Sequence, residues 1–265
     1  MGEVIVITSG KGGVGKTTTT ANIGTALAAM KKKVVLVDGD TGLRNLDVLL
    51  GLENRIVYTL VDVLEGKCSL KQALVKDKRN ENLFLLPTAQ TKNKSDVKSE
   101  EMIALIDKLK SEFDYVIIDC PAGIEQGFEN AVVGADRALI VVNPEVTSIR
   151  DAYRVIGKLD EKGFTDHKVI VNRIDYEMVR NGEMLDVDDV IDSLEIELIG
   201  IIPNDKLITI STNKGEPIVL NENTNIGKKF KNIATRITGV EVPFEIFEDN
   251  NGKFTHALKK LFNLK

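Results

Sequence analysis

The chain has 265 residues, 43% of them hydrophobic and 28% charged, with a formal net charge of −5. That length can bury a large core, and the acidic balance argues against a surface built to coat nucleic acid. No apolar run approaches the ~20 residues that span a bilayer, and Cys68 and Cys120 lack the paired spacing of a metal site, so they read as reduced thiols.

Met1-Gly2-Glu3 runs straight into an apolar stretch, without a secretory leader pattern. Val6 stands where myristoylation of Gly2 would need Ser or Thr. Residues 4–8 are expected to form the first strand. After it, Gly10-Lys11-Gly12-Gly13-Val14-Gly15-Lys16-Thr17 fills every fixed position of the frame G-x-x-x-x-G-K-[ST]. Glycines let backbone N–H groups turn inward around phosphate oxygens. In this frame Lys16 reaches the β- and γ-phosphates and the Thr17 hydroxyl sits on Mg²⁺. Thr18 leads on into a helix expected over 16–30. Lys11 is not required by the frame; it either points beside the phosphates toward a second subunit or is a solvated loop lysine.

A second strand, 34–37, ends in Asp38-Gly39-Asp40. Two carboxylates two residues apart on extended chain face the same way. Asp38 is then placed to support the Mg²⁺ shell and Asp40 to orient an attacking water; the competing reading is a pair of turn-forming aspartates. Further strands are expected at 83–86, 115–118, 138–142, 169–171 and 198–202, and helices at 100–112, 148–162, 187–194 and 227–238. The strand at 115–118 runs into Asp119-Cys120-Pro121-Ala122-Gly123, where Asp119 matches a Walker B carboxylate or a turn residue before proline. Late in the chain, Asn172 offers a donor and an acceptor to a purine edge, and Pro203 and Asp205 would wall the base or ribose. Singly these three are weak signals that gain weight only by falling at one sheet edge.

Strands alternating with helices imply an α/β fold: one P-loop NTPase domain, 1–240, with a mostly parallel twisted sheet and helices on both faces. Ligand is expected at the carboxyl edge of that sheet. Residues 241–252 read as a linker, with an acidic stretch ending in Asn250-Asn251-Gly252. In 253–265, helical spacing places Phe254, Leu258, Leu261 and Phe262 on one side and Lys259 and Lys260 on the other. This split suits an anionic membrane surface; a helix docked on the core is the alternative. Lysines near anionic lipid add about 1 kcal/mol each, while ordering the tail costs about 1 kcal/mol or more per residue. One tail therefore binds weakly, and two tails on a dimer bind with avidity.

The phosphate loop with Lys11, the Asp38–Asp47 segment, Lys76-Asp77-Lys78-Arg79, the Asp119–Gly123 segment, Asn143-Pro144-Glu145-Val146 and Gly215-Glu216-Pro217-Ile218 together resemble the deviant-Walker-A (MinD/ParA) ATPases. Within that family the likeness is to the branch that determines the septum site, and it covers essentially the full length. The resemblance implies an ATP- and Mg²⁺-dependent homodimer in which Lys11 reaches the other subunit's nucleotide. It implies a site formed by Lys16, Thr17, Asp38, Asp40 and Asp119. It also implies a MinC-like division inhibitor bound on a surface that includes Arg150 and Asp151, and a MinE-like activator or a polar landmark protein. The expected place is the cytoplasm, peripheral on the inner face of the cell membrane, with no specific nucleic acid. Two relatives share the nucleotide site: a ParA-like partition ATPase, which needs a basic surface for DNA, and an FlhG-like flagellar-number regulator, which usually carries an N-terminal extension. Cys120 departs from the Ser or Thr commoner there.

Overall fold

The computed structural model describes residues 1–40, 44–89 and 99–244. Its strands are β1 (Glu3–Thr8), β2 (Val34–Asp38), β3 (Val75–Lys76), β4 (Leu83–Leu86), β5 (Tyr115–Asp119), β6 (Arg137–Val142), β7 (His167–Ile174) and β8 (Glu197–Pro203). They make one sheet in the order β3-β4-β2-β5-β1-β6-β7-β8, parallel throughout except for the antiparallel edge pair β3–β4. The α/β architecture expected from the alternating pattern is the one observed.

The central strands are apolar at consecutive positions because both faces are covered. Alternation then divides them: Val4 and Val6 of β1 enter one core cluster, and Ile5 and Ile7 enter the other. The first cluster is closed by α5 (Ser99–Glu112), α6 (Gln126–Val132), α7 (Val146–Glu161) and α9 (Val187–Leu194). The second is closed by α1 (Lys16–Ala29) and α11 (Asn225–Ile237). Each fully buried Leu, Ile, Val or Phe contributes about 1.5–3 kcal/mol, so these two layers hold the strand ends in place.

The remaining helices were not visible as periodic patterns. These are α2 (Leu46–Leu50), α3 (Leu60–Leu64), α4 (Leu70–Ala73), α8 (Tyr176–Arg180) and α10 (Lys206–Asn213), and the seven-residue α6 likewise forms where no helix is expected from the sequence. Four of them are too short to show an apolar stripe, and α10 buries none of its residues. Their local signals are caps instead. Thr59 with Asp62 and Ser69 with Gln72 form capping boxes at α3 and α4.

At the far end of the domain Arg236 holds the last described residues. Its Nε donates to the Val242 carbonyl at 2.9 Å, Nη1 to Ile199 at 3.0 Å and Nη2 to Pro243 at 3.1 Å, and its guanidinium stacks on Phe244. The expected amphipathic segment with Phe254, Leu258, Leu261 and Phe262 lies outside the described residues. Among those described, no helix is long and apolar enough to cross a membrane.

Candidate nucleotide site

The loop between β1 and α1 leaves the middle of the sheet, with β5 on one side of β1 and β6 on the other. This is where chain direction across the sheet reverses and where ligands bind in open α/β sheets. Gly13 and Gly15 have φ of 77° and 102°, and Gly12 and Gly13 are exposed. The turn presents the N-terminal N–H groups of α1, the positive end of its dipole, to an anion. Lys16 is buried, with Nζ donating to Ser9 Oγ at 3.0 Å, and Ser9 Oγ donates to the Lys11 carbonyl at 2.7 Å. The loop is thus braced from beneath. Thr17 and Thr18, half-buried, open α1 behind it.

Asp38 and Asp119 are register partners at the ends of β2 and β5, and both are buried. Burial first, and then the facing Asp119, push the Asp38 carboxyl up to about 8. Burial raises Asp119 to about 6, against hydrogen bonding from Thr17 and the charge of Lys16. Thr20 Oγ1 donates to Asp119 Oδ1 at 3.3 Å. Asp38 Oδ1 accepts the Asp40 backbone N–H at 3.1 Å, while its buried Oδ2 has no hydrogen-bond partner among the described residues. The Asp-Gly-Asp segment is therefore both a turn and a carboxylate cluster, so the two readings of it coexist. Asp47, at the first turn of α2, is buried against Arg44, 2.8 Å from Nε. Cys120 is a buried thiol pushed up to about 12, a packing group.

These donors suit Mg²⁺ with a nucleotide. A hard divalent cation takes oxygen ligands, commonly one or two carboxylates with phosphate oxygens completing the shell. The Asp38 oxygen without a partner among the described residues and the paired raised carboxyls are what such a cation would relieve. Among the described residues no cluster of three or more His, Cys, Asp or Glu makes a metal cage of its own.

Lys11 is exposed on the loop and lies 3.2 Å from Glu145 Oε2 and 3.3 Å from Thr147 Oγ1. Both partners open α7, more than 130 residues away in sequence. Gly10 packs on the same helix: a Cβ there would stand 2.2 Å from the Asp151 carbonyl. Arg150, exposed, and Asp151, half-buried, consequently lie directly behind the phosphate loop.

The three residues expected at the base occupy the same edge, each with a local task. Asn172 is buried and donates Nδ2 to the Val14 carbonyl at 2.7 Å, so its amide steadies the phosphate loop. A register irregularity between Asn172 and Ile174, with Arg173 at φ 61°, turns Asn172 inward and Arg173 outward. Pro203 ends β8 half-buried, and Asp205 caps α10 by accepting the Leu207 N–H at 2.8 Å.

Comparison with known proteins agrees with this geometry. An AAA domain family matches residues 2–169. The septum site-determining protein MinD of Bacillus subtilis is 51% identical over the whole of both chains. The chain belongs to the MinD family. Its fold overlays the MinC:MinD cell division complex of Aquifex aeolicus with a TM-score of 0.87 at 54% identity, covering 92% of this chain and 99% of that one. The septum site-determining MinD of Pyrococcus horikoshii, complexed with Mg-ADP, has a TM-score of 0.81 at 32% identity, covering 89% and 96%. The family places the chain among the nucleotide-binding ATPases of cell division and septum-site determination.

Proposed function

We propose that the chain hydrolyses ATP to ADP and phosphate with Mg²⁺, dimerises in the ATP state, and carries a MinC-like division inhibitor to the anionic inner face of the cell membrane until hydrolysis releases it. The observation that carries this reading is the register pairing of Asp38 with Asp119 beside the Lys16 loop, two buried carboxyls set where a metal–phosphate group would lie.

In this reading the loop N–H groups hold the phosphates, and Lys16 exchanges the Ser9 hydroxyl for a phosphate oxygen. Thr17, Asp38 and Asp119 hold Mg²⁺, which neutralises charge on the phosphates. Asp40, at the mouth of the pair, orients the attacking water. Asn172, Pro203 and Asp205 border the base. Lys11 leaves Glu145 and Thr147 to reach the nucleotide of the other subunit, which makes the dimer depend on ATP.

The overlay on the Aquifex MinC:MinD complex supports a MinC-like partner, and Arg150 and Asp151 are the surface assigned to it. Contact of Gly10 with Asp151 gives that surface a direct link to the phosphate loop. A MinE-like activator or a polar landmark protein would use neighbouring ground. The partition and flagellar-number readings have no support comparable to full-length relatives at half identity.

The test is co-sedimentation of the full chain with anionic liposomes in ADP and in ATP, alongside Asp40→Ala. Binding is expected with ATP, weak with ADP, and persistent for Asp40→Ala because hydrolysis fails. Equal binding in both nucleotides would sink the switch.

A further inference from the structure

Arg79 lies away from the phosphate loop, yet it joins two elements whose opposite ends border the site. Its Nη2 donates to the carbonyl of Leu50, the last residue of α2, at 2.5 Å. Its Nη1 donates to the carbonyl of Gly215, just beyond α10, at 2.9 Å. The Leu50 carbonyl is at a helix carboxyl end, where carbonyls lack intrahelical partners and carry the negative end of the dipole, and the Gly215 carbonyl lies just past the C-cap of α10. A guanidinium fork meets two of them at once, as a single ammonium does not.

The fork itself is held. Asp77 is buried; its Oδ2 lies 3.0 Å from Arg79 Nη2, and its Oδ1 accepts the backbone N–H groups of Arg79 at 2.7 Å and Asn80 at 3.0 Å. The strand pair β3–β4 carries Asp77, whose own N–H donates to the Leu83 carbonyl. At the grip point the two helix ends touch through backbone: a Cβ on Gly215 would stand 2.8 Å from Gly51 Cα. Traced the other way, α2 opens at Leu46 with the buried Asp47 in its first turn, a few residues after Asp38 and Asp40 in the chain. The other helix, α10, starts at its cap Asp205 at the end of β8.

We propose that Arg79, held by Asp77, is a positioning residue for the reaction: it locks the helix behind the carboxylate segment to the helix behind the base side, so that the two move as one body. This rests on the ATPase reading above but adds a residue that touches neither nucleotide nor metal. The phosphate loop, which supplies most of the binding, has no contact with Arg79, so turnover rather than affinity is what its loss should change.

The experiment compares the full chain with Arg79→Ala and Arg79→Lys by hydrogen exchange without nucleotide and by ATP turnover. In Arg79→Ala, the amides of Gly51 and Leu52 and those of Gly215 and Glu216 are expected to exchange faster together. Its kcat is expected to fall about tenfold with KM within about twofold, as small misplacement of catalytic groups does. Added guanidinium should restore part of the rate, and Arg79→Lys should fall between. Faster exchange at one helix end alone, or a kcat within about twofold of the unsubstituted chain, overturns the proposal. Absence of ATP turnover by the unsubstituted chain overturns the ATPase reading instead, and the exchange result then judges the lock by itself.

Discussion

At the amino-terminal ends of the strands, charges meet partners at the surface. Lys110 lies 2.6 Å from Asp136, Arg137 2.7 Å from Asp166 and 3.2 Å from Glu3, and Lys168 2.9 Å from Glu197. At the carboxyl ends, Asp38 and Asp119 are buried side by side with like charge, and the hydrogen bonds from Thr17, Thr20 and the Asp40 N–H and the charge of Lys16 offset their burial only in part. The same sheet thus has one edge whose charges are paired at the surface and one edge where buried carboxyls face each other, the edge that the proposed function completes with nucleotide and Mg²⁺. Buried like charges are a cost to stability; set beside a phosphate loop they mark a candidate functional site.

The most severe break in this contrast is removal of the cation at the ligand edge. Lys16→Ala should weaken ATP binding by about 1.5–3 kcal/mol, the worth of a hydrogen bond to a charged group, with little change in melting temperature. Calorimetric titration checks it; ATP affinity unchanged in a folded Lys16→Ala would remove Lys16 from the site.

The second prediction concerns pH. The folded Asp38 carboxyl is raised from its ordinary value to about 8, so its contribution to stability is complete below the ordinary value and is lost as pH rises through about 8. Asp119 acts with the same sign up to about 6. The nucleotide-free chain should therefore lose stability as pH rises across this window, and Asp38→Asn should flatten the slope and raise stability near pH 8 by a few kcal/mol. Urea unfolding at several pH values measures both. A slope unaltered in Asp38→Asn would mean that the edge is not strained in this way.

The smallest effect belongs to the opposite edge. Lys168 and Glu197 face each other across β7 and β8, and the Glu197 side chain is 61% exposed. Glu197→Gln should cost no more than about 0.2–1 kcal/mol and less in high salt. A larger loss would show that the surface-paired edge contributes more than its exposure implies.

Much of the ligand edge was legible in the chain because its pieces are contiguous. Eight residues after one apolar run spell a phosphate loop, and carboxylates follow two other runs, so strand ends and chemistry could be read together. The long helices were visible for the same reason: α5, α7, α9 and α11 each carry an apolar stripe over two or more turns, and α1, buried nearly all round, follows directly from the phosphate loop. What escaped was short or distant. The helix α2, five residues long, has no room for periodicity, and α10 has no buried stripe to betray it. The sequence offers Asn172 as a base contact through its amide and its place at the sheet edge; its hydrogen bond to Val14, 158 residues away, is announced by no local pattern.

By itself, then, the sequence determined the kind of fold, the phosphate loop and the set of carboxylates, since these depend on neighbours along the chain and on the periods of strand and helix. Only the tertiary structure decided which groups confront each other. Asp38 meets Asp119 because β2 lies beside β5 in the sheet, Lys11 meets Glu145 because α7 packs behind the loop, and Arg79 meets Leu50 and Gly215 because two helix ends converge on it. Those meetings follow from strand order and packing of the whole core, which no local stretch of residues encodes.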